Sequence, residues 1–93
     1  MTNFFEHKTI VITGASAGVG AACARAFAAH NAKLVLVARG EAGLQAIADE
    51  LRPQCEVLTV AMDVANNQDC LALLENAEST FGAVHIIIKI LSL

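Results

Sequence analysis

The order of apolar patterns along the chain predicts an α/β fold, the N-terminal half of a doubly wound parallel sheet, with elements in the order β-α-β-α-β-α-β. Three observations carry that expectation. Four short apolar runs rich in β-branched residues read as strands covered on both faces, since they are continuous rather than alternating. Segments of about ten to fifteen residues with helical spacing separate them, which is the alternation of a parallel sheet with crossover helices. A glycine-rich turn joins the first strand to the first helix.

The first run is Lys8 to Thr13 (KTIVIT), closed by Gly14. From Gly18 to His30 the apolar residues Val19, Cys23 and Phe27, with the small Ala22 and Ala26, fall at helical steps and predict one amphipathic stripe. Asn31 can take the left-handed conformation that ends such a helix. Lys33 to Ala38 (KLVLVA) is the second strand. Leu44, Ile47, Ala48 and Leu51 mark a second helix stopped by Pro53, the only proline. Glu56 to Met62 is the third strand. Asn66 or Asn67 can cap a third helix carrying Cys70, Leu74, Ala77 and Phe81, and Gly82 ends it. Val84 to Ile90 begins a fourth strand. No repeat or low-complexity stretch interrupts this order.

The densest signal is Thr13-Gly14-Ala15-Ser16-Ala17-Gly18-Val19-Gly20. The chain must turn sharply there and still let a ligand's phosphates reach its backbone. Glycine serves both needs, having no Cβ and free access to positive φ. The helix that follows opens with unpaired N–H groups and a partial positive charge, an anion site built from backbone. Gly14 would make the turn, Gly18 would admit a pyrophosphate, and Gly20 would let the helix pack closely on the strand. The spacing departs from the G-x-G-x-x-G rule, and no Gly-Lys-Ser/Thr follows, so it is not a P-loop. Ser16 either donates to a phosphate or satisfies the turn; the sequence leaves both open.

About 20 residues past such a turn, the end of the second strand reads the ribose of a dinucleotide. Ala38 and Arg39 stand there. An acid would hold the ribose hydroxyls of NAD and repel the 2′-phosphate of NADP, whereas a guanidinium can grip that phosphate bidentately. NADP is therefore favoured over NAD. The plain alternative is a solvated cation after a strand, and Glu41 nearby weighs toward it.

Gly-x-x-x-Gly-x-Gly in this position resembles the short-chain dehydrogenase/reductase family, and TGASAGVG matches that pattern fully. Asp63-Val64, closing the third strand, is similar to the family's Asp-Val pair, whose acid faces the adenine amino group; a turn aspartate is the bland alternative. The resemblance implies a Rossmann-type domain over the whole chain, matching from Phe5 to about Ile88. It also implies cofactor contacts from Gly14, Ser16, Gly18, Val19, Gly20, Arg39, Asp63 and Val64.

Composition narrows the alternatives. The chain is 93 residues long, 56% hydrophobic and 16% charged, with formal net charge −3, which excludes a disordered or charge-driven chain. Its six cations are scattered, against nucleic-acid binding, which needs a clustered positive surface. Cys23, Cys55 and Cys70 show no metal or redox spacing and read as reduced small hydrophobes of a cytoplasmic protein. His7, His30 and His85 suggest neither metal nor catalytic pair. No secretory signal opens the chain, and the apolar run from His85 falls far short of the ~20 residues of a membrane span.

After Val84 the pattern departs from the family's, first at one residue and then, past Ile88, altogether. The family continues with an aspartate, a hydrophobic run and Asn-Asn-Ala-Gly; here His85 replaces the aspartate, and Lys89 to Ser92 replace the tetrapeptide. A frameshift, an early stop or an altered splice would each produce such a tail over 89–93. Family members transfer hydride with a tyrosine, a lysine four residues on and a serine, and this chain contains no tyrosine. The resemblance thus implies an oxidoreductase acting on a carbonyl or alcohol, while the chain itself is expected to be inactive, with no catalytic residue of its own. The alternatives are a non-enzymatic dinucleotide-binding or subunit-pairing module, and a non-functional truncated product. An exposed fourth strand would invite self-association.

Overall fold

A computed structural model of the chain describes residues 4–63 and 67–90. The elements follow the expected order: β1 (Thr9–Thr13), α1 (Gly18–Ala29), β2 (Lys33–Ala38), α2 (Glu41–Leu51), β3 (Val57–Ala61), α3 (Asn67–Phe81) and β4 (Ile86–Ile88). All strand pairs are parallel, in the order β3-β2-β1-β4. Ile12 pairs with Leu36 on one side and Ile88 on the other. The sheet therefore grows in one direction from β1 to β2 and β3, then reverses to place β4 on the opposite flank.

Alternation along the inner strands sorts their side chains between two faces. Ile10, Ile12, Leu34 and Leu36 pack with residues of α1 and α2, including Ala24, Leu44, Ile47 and Leu51. Val11, Val35 and Val37 pack with Leu73 and Ala77 of α3. Because both faces are covered, β1 is buried along its whole length and β2 at all but its first residue. Each fully buried Leu or Ile contributes roughly 1.5–3 kcal/mol of transfer free energy. The flanking strands are less covered, and Ile87 of β4 remains 48% exposed.

The face of α1 differs from the one expected. Val19 is 65% exposed, and Ala22 and Ala26 are exposed, whereas Gly20, Ala21, Ala24 and Ala28 are buried. Cys23 and Phe27 only flank the core. The helix lies so close to β1 that only the smallest side chains fit between, which overrides a stripe drawn through the larger residues. In α3 the deepest apolar residues are Leu73 and Ala77, with Leu74 and Phe81 half-buried beside them.

Helix ends follow local chemistry. Asn31 has φ 58°; its N–H donates to the Ala28 carbonyl, and the Ala32 N–H donates to that of Phe27, a Schellman ending. Gly82, at φ 83°, closes α3. His7 also adopts a left-handed φ of 62°, and its N–H donates to the Asn31 carbonyl at 3.0 Å, tying the entry of β1 to the α1–β2 turn. β4 is shorter than expected. Past Ile88 the ladder ends, and the Ile90 N–H bonds at 3.1 Å to the Thr13 side-chain Oγ1 instead of to a strand carbonyl.

Candidate functional site

In an open parallel sheet, ligands bind beyond the carboxyl ends of the strands, at the point where strand order reverses. Here that point lies between β1 and β4. Gly14 to Ala17 leave β1 and lead into α1 there. Gly14 has φ 65° and Gly18 φ 59°, left-handed values that an L-residue adopts only with strain. Ala15 is fully buried, and its N–H donates to the Val37 carbonyl at 3.1 Å, which anchors the turn to β2.

Gly18 and Gly20 differ in kind. A Cβ at Gly18 would meet nothing within 4 Å, so the protein fold places no steric demand for glycine there beyond its φ. A Cβ at Gly20 would collide with the Gly14 carbonyl and come within 3.1 Å of the Ala15 Cα. Gly20 is the packing glycine, and Gly18 presents open space.

The start of α1 lacks a side-chain cap. Ala17 occupies the N-cap position in extended conformation, and its side chain makes no cap bond to the first-turn amides. Serine, threonine, aspartate or asparagine usually fills this position, and Ala forgoes about 1 kcal/mol. First-turn N–H groups have no partner inside the helix. With the dipole, they form a cradle suited to a phosphate group.

The other expected contacts stand along the same edge. Arg39 is exposed in the loop between β2 and α2. Ser16 is half-buried and lies against α2, where a Cβ at Gly43 would come within 3.3 Å of its own Cβ. Asp63 follows β3 and is exposed, lining a cavity of about 460 Å³ with Val60, Met62, Asp69, Leu73 and Asn76. Val64 lies outside the described residues. Another cavity, about 360 Å³, is lined by His7, Asn31, Lys33, Arg52 and Glu56. It sits at the amino ends of β2 and β3, the wrong end of the sheet for a ligand of this fold.

Some features had no signal in residue spacing. Gly43 beside Ser16 is one. Another is His85, whose Nδ1 accepts the Thr9 N–H at 3.0 Å while its own N–H donates to the Thr9 carbonyl. An aspartate could accept the same bond, so the histidine at this place keeps the connection between β1 and the start of β4. Burial, with the negative charge of Glu56 nearby, pushes the Cys55 thiol up, which makes it a poor nucleophile. Among the described residues no group of three or more His, Cys, Asp or Glu could hold a metal ion. No helix among them is long and apolar enough to cross a membrane.

A parallel sheet that reverses at β1, with a glycine turn opening α1 at the reversal, defines a doubly wound, Rossmann-like α/β domain. The chain belongs to the short chain dehydrogenase family, whose sequence pattern matches residues 8–90. It is 38% identical over 89 residues to a 1,6-dihydroxycyclohexa-2,4-diene-1-carboxylate dehydrogenase of Pseudomonas putida, covering 96% of this chain and 33% of that protein. The fold superposes on L-sorbose reductase from Gluconobacter frateurii, solved with NADPH and L-sorbose, with TM-score 0.92 and 37% identity, covering 100% of this chain and 36% of that one. A short chain dehydrogenase/reductase from Burkholderia phymatum, solved with NAD, gives TM-score 0.87 and 40% identity, over 94% of this chain and 31% of that one. The chain thus spans about a third of the length of these relatives. The two solved relatives were captured with nicotinamide dinucleotides, the first with NADPH and the second with NAD.

Proposed function

We propose that this chain is the NADP(H)-binding part of a short-chain dehydrogenase/reductase-like oxidoreductase, and that these 93 residues transfer no hydride by themselves. The observation that carries the binding is the uncapped start of α1 beside Gly18, where a positive φ and open space leave room for a diphosphate. Arg39 supports the preference for NADP by offering a guanidinium to the 2′-phosphate on the β2 side. Asp63 of the Asp63-Val64 pair would face the adenine amino group, and Ser16 and Val19 would border the phosphates.

The bound cofactor would supply a hydride for a carbonyl or take one from an alcohol. Without a tyrosine, the chain has no residue of the family's kind to pass the accompanying proton. An assay of the purified chain with NADPH and a panel of ketones and aldehydes tests this directly. Binding without turnover is the expected result, and turnover above buffer would overturn it.

The same reading makes the chain cytoplasmic and without nucleic-acid partners, in keeping with its scattered cations. Self-association through β4 is part of the proposal. That strand ends the sheet order, and Ile87 is 48% exposed on it. Sedimentation across a concentration series should show mass rising with concentration, and a monomer throughout would remove this part.

A further inference from the structure

Thr13, Gly14 and Ile90 form a small clamp at the reversal point of the sheet. The Ile90 N–H donates to Thr13 Oγ1 at 3.1 Å, which fixes the backbone beyond β4 against the end of β1. The Ile90 side chain then stands beside Gly14, which itself stays exposed. A Cβ placed on Gly14 would lie 3.2 Å from Ile90 Cβ and 3.6 Å from its Cγ2. Gly14 is thus flanked on the β4 side by a half-buried, β-branched residue.

The position has consequences for any dinucleotide. Strand order β3-β2-β1-β4 places Arg39 and Asp63 on one flank of β1 and Ile90 on the other. A dinucleotide straddles the reversal point, one mononucleotide half to each side. The half held near Arg39 and Asp63 needs only the flank of β2 and β3. The second half extends past the end of β1 toward β4, the flank on which Ile90 stands.

We infer that Ile90 is a specificity-determining residue that restricts the second half of the dinucleotide, so that the chain favours the adenosine half of the ligand. This rests on the nucleotide-binding proposal above and adds to it a difference between the two halves of the site. The backbone bond to Thr13 does not depend on the side chain at position 90, so trimming that side chain leaves the clamp in place while opening the passage.

Calorimetric titration of the wild type, Ile90→Val, Ile90→Ala and Ile90→Gly with two probes tests this. Adenosine 2′,5′-bisphosphate reports the adenosine half alone, and NADPH reports both halves. NADPH affinity should rise in the order Ile, Ala, Gly, by about tenfold over the series, the lower end of what one methylene is worth in a fitted pocket. Val keeps the β-branch and both γ positions and should match the wild type, and the bisphosphate should bind all four alike. Equal NADPH affinity across folded variants, with both probes binding, overturns the role of Ile90 and leaves nucleotide binding intact. Failure of both probes on every folded variant overturns nucleotide binding itself, and this inference with it. Should Ile90→Gly not fold, Ile90→Ala alone must still bind NADPH more tightly than the wild type.

Discussion

A Cβ at Gly20 would overlap the carbonyl oxygen of Gly14 and lie 2.7 Å from its carbonyl carbon. Both obstructing atoms are backbone, so no side chain can swing aside. Gly20→Ala should therefore force α1 off β1, at a cost of roughly 3 kcal/mol or more, a large share of the stability of a domain this size. Urea unfolding followed by circular dichroism checks it; a midpoint unchanged from the wild type would show that the two glycines do not meet as described.

Gly18 should behave otherwise. Its left-handed φ makes alanine strained by roughly 1–2 kcal/mol, yet nothing in the protein obstructs the new methyl group. Gly18→Ala should stay folded at moderate temperature while losing NADPH affinity, because the methyl occupies the space proposed for the diphosphate. The same urea series, paired with titration, separates the two glycines: stability falls at Gly20 and binding falls at Gly18.

Arg39 should matter for one cofactor only. Charge-assisted bonds to a 2′-phosphate are worth about 1.5–3 kcal/mol, so Arg39→Ala should weaken NADPH by roughly tenfold to a hundredfold. NADH, lacking that phosphate, should bind the variant and the wild type alike. Parallel titrations with both cofactors decide the matter, and equal losses for both would reduce Arg39 to a surface cation.

Thr9 carries two separate expectations. Its N–H is held by His85 Nδ1, so His85→Ala should leave a buried donor unpaired and cost about 1–3 kcal/mol, whereas His85→Asn retains an acceptor and most of the stability. Its hydroxyl is buried without a hydrogen-bond partner among the described residues, so Thr9→Val should raise stability by about 1 kcal/mol. Unfolding midpoints at constant m-value test both.

Arg25 of α1 grips Glu50 of α2 through two bonds of 2.7 and 3.1 Å. Those hydrogen bonds, and then the opposite charge, hold the Glu50 carboxyl below its usual range, despite some opposition from burial. A depressed carboxylate contributes stability above its unfolded-state pKa and loses it as pH falls through the folded value. Carbon-13 NMR should show Glu50 titrating at lower pH than an ordinary glutamate, and returning to the ordinary range in Arg25→Ala. Both side chains are about half exposed, so the effect on overall stability should be small and reduced by salt.

Element order was readable because the inner strands are covered on both faces and so spell unbroken apolar runs, as in KLVLVA. Turn chemistry was equally plain where one residue type is required, at Asn31 and Gly82. The face of α1 was not readable, since its contact with β1 is set by how near Gly20 allows the helix to come, and that distance has no mark in periodicity. The site divides the same way. Gly14, Gly18 and Gly20 stand out because backbone geometry demands them. The bonds of His85 to Thr9 and of Ile90 to Thr13 join residues more than 70 positions apart, and only the pairing of β1 with β4 brings them together.

The most direct test of the central claim is titration of the wild type and Gly18→Val with NADPH, with folding of each followed by circular dichroism. Saturable binding to the wild type, lost in a folded Gly18→Val, is the result expected of a backbone cradle at the start of α1. A folded wild type that binds no NADPH, or a Gly18→Val chain that binds it equally well, would contradict the account.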